Sequence, residues 1–325
     1  MQETGLGRDW QIFWATTHGF RAHYESGLLF APPWILPLLW LLTLLPVEIG
    51  WSLAAFATAG VLVLSVPKQD GPARLVTGSL LLVTSYPAMR QMLEGNIEAV
   101  VIGGMLILLW AYSRRSAVAM ALGLLLVLVK IQLSWPLLLL LAVHLYREWP
   151  RRKLITAGSL VTILAVPFLL WKGREWLDAI IQISRVERTN ASLLGEFARL
   201  GVPQALSLAV WGVVFLFGIW MASRFSPSIT RLEVGWLAGM GLLLSPYASS
   251  LSTLTPLALG VTSLYQKQPK IGLLLFALSN IPYLSAFFPQ VRSKWEATFA
   301  LGATLITVTV LSWFLIERFA EAPDK

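Results

Sequence analysis

Residues 154–171 (LITAGSLVTILAVPFLLW), 204–222 (QALSLAVWGVVFLFGIWMA) and 298–316 (TFALGATLITVTVLSWFLI) each run without a charged side chain. Crossing the roughly 30 Å hydrocarbon core of a bilayer takes about 20 apolar residues as a helix, and backbone groups left without partners there are so costly that only helices and closed barrels span. A barrel would show strands of about ten residues with alternating polarity, and these runs do not alternate. They read as membrane helices. Composition agrees, because 56% hydrophobic and 13% charged residues with a mean hydropathy of +0.69 do not suit a water-exposed surface.

The net charge of +8 could signal nucleic-acid binding, but the basic residues sit in short loops between apolar runs rather than on one patch. That placement is topology information, and no nucleic-acid partner is expected. Arg114 and Arg115; Arg147, Arg151, Arg152 and Lys153; Arg224 and Arg231; and Lys267 and Lys270 mark four loops that the positive-inside rule puts in the cytoplasm. Spans are expected at about 97–112, 116–130, 133–146, 154–171, 204–222, 233–247, 248–266, 270–288 and 298–316. The C-terminus then lies in the cytoplasm and the N-terminus outside. Gly95, Asn96, Lys130, a polar loop over 172–202, the Ser-Pro-Tyr of 245–247 and the stretch 292–296 share the outer face. Upstream, the runs 28–46, 51–66 and 75–88 break the parity, and 75–88, ending in Tyr86-Pro87, is expected to be a half-helix or re-entrant piece. The chain has no cysteine, so no disulfide framework is available.

Residues 1–27 read as an external amphipathic segment, followed by a transmembrane domain over 28–318 and a tail over 319–325. Trp10, Phe13 and Trp14 recur at helical spacing among polar residues, which suits a helix lying in the interface with its aromatic face in the headgroups. No charged start followed by an apolar core precedes it, so no signal peptide is expected.

The run G-R-D-W-x-x-F-W, the following H-Y, and F-A-P-P-W-x-L-P-L-L-W-L-L-T-L-L-P resemble the start of the glycosyltransferase 87 family. Its members are polytopic enzymes of the GT-C fold that take a sugar from a polyprenyl-phosphate carrier. Asp9 and Pro32-Pro33 fall where that family has an acidic residue and a Tyr-Pro-Pro-like element. Glu94-Gly95-Asn96, Lys130 with Pro136, and the Leu-Ser-Pro of 244–246 follow in family order over residues 7 to about 255. Two departures stand out: family members carry a further membrane helix before the acidic residue, and this chain continues from 247 as Tyr-Ala-Ser-Ser-Leu-Ser, with no histidine after His144.

The resemblance implies an all-α polytopic fold of ten or eleven spans, GT-C-like, in the cell membrane. It implies a polyprenyl-phosphate sugar donor, with mannose favoured, a glycolipid or glycan acceptor, and membrane lipids as surroundings. Such transfer needs a base for the acceptor hydroxyl and a cation or oriented donors for the departing phosphate. Asp9 is the expected base, and its alternative is a helix N-cap. Lys130, ending an apolar run, is the expected phosphate-binding cation, and its alternative is a lysine that snorkels to the interface. Arg90, Gln91, Glu94, Asn96 and Glu98 form a polar cluster between apolar runs; from it Arg90, Glu94 and Asn96 are taken as sugar contacts, or as an interfacial turn. His18, Arg185, Arg188 and Tyr247 are further substrate-binding candidates, with His18 and His23 otherwise read as anchors and the two arginines as solvated loop charges. There is no HExxH, no Asp-x-Asp and no phosphate-cradling glycine loop, so the site is expected to work without metal or cofactor.

Two other classes fit the same residues. A noncatalytic GT-C derivative would serve as a structural subunit, with a partner membrane protein filling the place of a missing first helix. A transporter would use broken segments near Pro87 and Pro136, but no inverted repeat is visible in the hydropathy.

Overall fold

A computed structural model describes residues 7–17, 31–68, 71–184, 190–225, 229–285 and 289–321. Among them every regular element is helical, and extended pairing is limited to the bridge Asn190↔Ser249. The chain divides into two compact units, one of residues 1–63, 89–131 and 145–185, the other of 64–88, 132–144 and 186–325.

The first unit is built on α1 (Arg8–Thr17), α2 (Leu36–Thr43), α3 (Val47–Ser65), α6 (Glu98–Arg114), α7 (Ala117–Val127) and α9 (Arg151–Ser184), with α5 (Tyr86–Glu94) contributing from residue 89. Helix α6 stops at Arg115, which takes the left-handed conformation at φ 50°, and α7 starts at once because the Ser116 side chain accepts from the Ala119 amide. The two helices lie close enough that a Cβ on Gly104 would meet the Leu126 Cβ at 2.8 Å. After a 3-10 turn over Leu128–Lys130, α8 (Ile131–Glu148) follows without a gap. Lys130 Nζ lies 2.6 Å from Glu98 at the start of α6, while Tyr112 Oη lies 2.5 Å from Glu148 near its end. The 32 residues of Ala117–Glu148 therefore run out and back, with Lys130 at the apex, as the two expected spans 116–130 and 133–146 require.

The second unit centres on α12 (Arg231–Leu244), whose residues from Leu232 onward are all buried. At its start the Glu233 carboxylate reaches back to accept from the Thr230 amide. Around it stand α4 (Pro72–Val83), α8 over 132–144, α10 (Leu193–Arg199), α11 (Gln204–Ser223) and a broken helix made of α13 (Leu254–Pro256), a π-turn over Leu257–Val261 and α14 (Thr262–Lys267). Pro256 has no amide proton to give the ladder, and the widened turn follows it directly. The unit closes with α15 (Pro269–Ser279), α16 (Pro282–Ser285) and α17 (Pro289–Glu321), and Trp236 Nε1 donates to Ser312 Oγ at 2.8 Å.

Burial decides the environment. The apolar windows of Arg151–Ile181 and Gln204–Ser223 are each only 11% buried, and Phe56, Leu170 and Val213 expose 77%, 84% and 67% of their surface. Helices that are apolar all round and largely unburied by protein belong in lipid. Five helical stretches are long and apolar enough to cross, or six if α5 and α6 count as one bent span, and Pro33–Thr43, Pro72–Val83 and Pro269–Ser279 are shorter apolar helices. The expected ten or eleven counts such short helices, and both arms of the hairpin at Lys130, as spans.

Two boundaries differ from expectation. The expected loop over 172–202 is helical through Ser184, because WKGREWLDAII keeps an apolar face and Trp176 packs edge-on against Trp34 at 5.6 Å between ring centroids. Residues 292–296 are likewise part of α17. The run expected as a half-helix over 75–88 is the twelve-residue α4, ending at Val83 and too short to span, and the sharp bend, 116°, lies between α5 and α6.

Candidate functional site

The bend between α5 and α6 is a tight turn. Gly95, at φ +73°, sits in the left-handed region, and the amides of Gly95 and Asn96 both donate to the Gln91 carbonyl, at 2.9 and 3.0 Å. Helix α1 lies against this turn. The Gly7 amide donates to the Leu93 carbonyl at 2.6 Å, and a Cβ on Gly95 would come within 2.5 Å of the Trp10 Cβ. Trp10 is 1% exposed and Phe13 8%, so the aromatic face of α1 is turned into the protein rather than into headgroups. Trp14 Nε1 donates to the Leu45 carbonyl at 3.1 Å. Periodicity located the face, and the protein's own backbone covers it.

This docking sets Asp9 over the turn. Its Oδ2 accepts from Asn96 Nδ2 at 2.6 Å; Asn96 Oδ1 accepts from Lys130 Nζ at 3.1 Å, and Lys130 Nζ also donates to Glu98 Oε2 at 2.6 Å. The orientation of the Asn96 amide follows from its neighbours: an ammonium can only donate, so the oxygen faces Lys130 and the NH₂ faces the carboxylate. Asp9, Asn96 and Lys130, three residues singled out by the resemblance and separated widely in the sequence, thus meet in one carboxylate–amide–ammonium–carboxylate chain.

Asp9 is not an N-cap. It is the second residue of α1, where an acidic side chain still favours the positive end of the helix dipole. Lys130 is also not a solitary cation. Its side chain is 13% exposed and Glu98 is fully buried, so the pair is screened little by solvent. With all three groups ionised the chain carries one net negative charge, and an incoming phosphate must share or displace Glu98 to reach the ammonium.

The other expected residues are placed differently. Arg90 and Glu94 form an ion pair one helical turn apart on α5, with Arg90 Nε donating to Glu94 Oε1 at 2.7 Å. Tyr247 belongs to the second unit and is half-buried in the turn 245–250. His18, His23, Arg185 and Arg188 lie outside the described residues.

Sequence reasoning placed Glu98 in the polar cluster without foreseeing its ion pair with Lys130, and it did not foresee that Asn190 fastens a turn. The signal for Glu98 was a carboxylate opening a run that carries no other charge before Arg114. Asn190, 4% exposed, fastens the 245–250 turn within the second unit: its Nδ2 donates to the Pro246 carbonyl at 2.7 Å, and its Oδ1 accepts from the Ala248 amide at 2.9 Å and the Ser192 amide at 3.1 Å. Beside it Glu196 pairs with Arg199 and accepts from Thr298 Oγ1 at 3.0 Å, and burial holds the Arg199 guanidinium below its ordinary pKa.

Fold and burial define an all-α polytopic membrane protein. Comparison with protein-family models, with curated proteins and with solved structures found no match.

Proposed function

We propose that the chain is a membrane glycosyltransferase that moves a hexose, mannose by its family resemblance, from a polyprenyl-phosphate carrier to a lipid-linked or glycan acceptor on the extracytoplasmic face of the cell membrane. What supports this reading is the Asn96 bridge, which joins the carboxylate expected to act as base to the lysine expected to face the leaving phosphate.

Asp9 Oδ1 accepts no hydrogen bond among the described residues, which leaves it to take a proton while Oδ2 is steadied by Asn96. The acceptor oxygen attacks the anomeric carbon, its proton passes to Asp9 Oδ1, and the bond from that carbon to the phosphate oxygen breaks with its electrons leaving on the phosphate. Lys130, shared with Glu98, supplies positive charge where the phosphate departs. In the test, the purified chain in nanodiscs is given polyprenyl-phosphomannose and a panel of glycolipid acceptors, and acceptor-dependent release of polyprenyl phosphate is expected.

A noncatalytic structural subunit is the second reading. Its support is the fully buried Glu98, which already matches the charge of Lys130 without any ligand. No turnover with any acceptor, together with a stoichiometric membrane partner that stays bound through purification, would favour it.

A further inference from the structure

Helix α6 carries the Asp9–Asn96–Lys130–Glu98 chain at its start and a different charge arrangement at its other end. Arg114 and Arg115 close α6, and Arg147, Arg151, Arg152 and Lys153 flank the Trp149-Pro150 turn between α8 and α9. All six are exposed. Two bonds fasten these turns side by side within the first unit: Lys153 Nζ donates to the Arg115 carbonyl at 2.9 Å, and Tyr112 Oη donates to Glu148 Oε2 at 2.5 Å. The second bond occupies Glu148, the one carboxylate in 112–117 and 145–153.

Six like charges on two adjoining turns repel within a Debye length of about 8–10 Å, so an anion on this face would relieve the repulsion. The fold also fixes its height. Trp110 and Tyr146, 55% and 77% exposed, stand on the membrane helices that enter the two turns, and amphipathic rings of this kind settle at the headgroup level. Guanidinium groups bind phosphodiester oxygens through two parallel hydrogen bonds, and four to eight basic residues at the end of a membrane helix suit acidic lipid.

We propose that the Arg114–Arg115 and Arg147–Lys153 turns form a binding site for the phosphodiester of anionic phospholipid in the adjoining leaflet. This site is independent of whether the chain transfers sugar.

The test reconstitutes the full chain in nanodiscs of phosphatidylcholine with a minority of phosphatidylglycerol and counts retained lipids by native mass spectrometry. The triple variant Arg115→Gln/Arg151→Gln/Arg152→Gln is compared with Arg224→Gln/Lys267→Gln/Lys270→Gln, which removes the same charge elsewhere. At about fivefold per basic residue, the first variant should lose phosphatidylglycerol retention by about 100-fold and the second should keep it. Because a variant can misfold, the unsubstituted protein gives a second readout: phosphatidylglycerol should raise its unfolding temperature and added salt should cancel the gain. The proposal is overturned if both variants retain the lipid alike or lose it alike. It is also overturned if phosphatidylglycerol leaves the unsubstituted protein's unfolding temperature unchanged, or if the patch variant sheds nucleic acid or an acidic protein while its lipid count stays the same.

Discussion

Replacing Lys130 by methionine keeps most of the side-chain length and removes the ammonium from beside a carboxylate that the fold holds at 0% exposure. Breaking a buried ion pair from one side costs about 3–5 kcal/mol, because the remaining charge is stranded; replacing both partners with apolar residues of similar volume is often close to neutral. Lys130 is 13% exposed, so some water reaches its end of the pair and the lower figure, about 3 kcal/mol, applies. The double variant Lys130→Met/Glu98→Met should return to within about 1 kcal/mol of the parent, giving a coupling of at least about 2 kcal/mol. Reversible unfolding in mixed micelles, followed by tryptophan fluorescence, measures all four corners of the cycle. A single-variant cost below about 1 kcal/mol with no coupling would refute the reasoning, and would mean that Lys130 snorkels to solvent and leaves Glu98 satisfied by other groups.

Gly95→Ala should destabilise by about 2–4 kcal/mol, combining left-handed strain with the 2.5 Å approach to Trp10. In the same unfolding assay Gly103→Ala, whose added Cβ would meet nothing closer than 3.9 Å, should be neutral or stabilising by up to about 1 kcal/mol. Asn190→Ala removes three hydrogen bonds, two of them fully buried, and should cost about 2–3 kcal/mol, with hydrogen exchange rising at the Ser192 and Ala248 amides; unchanged exchange there would contradict the latch.

Membrane class was legible because it depends on the length of charge-free runs, a property that neighbouring residues alone determine. The hairpin apex was legible for a related reason: a lysine at the end of one apolar run and the start of another has few stable places to put its charge. Direction of packing was not legible. Trp10 and Phe13 define a face by their spacing, but spacing does not say whether lipid or the protein covers it, and the cover, Gly95, lies 85 residues further on. The end of α9 was misplaced for a compositional reason, since Lys172, Arg174 and Glu175 suggest a loop while Trp176, Leu177 and Ile181 carry the helix onward. Glu98 was visible in its polar cluster, but only the return of the chain at Lys130 reveals that it is the ion-pair partner.

The proposed chemistry stands or falls on Asp9. Asp9→Asn keeps the shape of the side chain and an oxygen for Asn96, yet it no longer takes a proton. The deciding measurement is the rate of polyprenyl-phosphate release by the Asp9→Asn protein beside the parent, at equal concentrations of folded protein. A base contributes about 10²–10⁴-fold, so a fall of at least about 100-fold with an unfolding temperature near that of the parent is the predicted result. Turnover within a few-fold of the parent would contradict it and return Asp9 to a structural role at the start of α1.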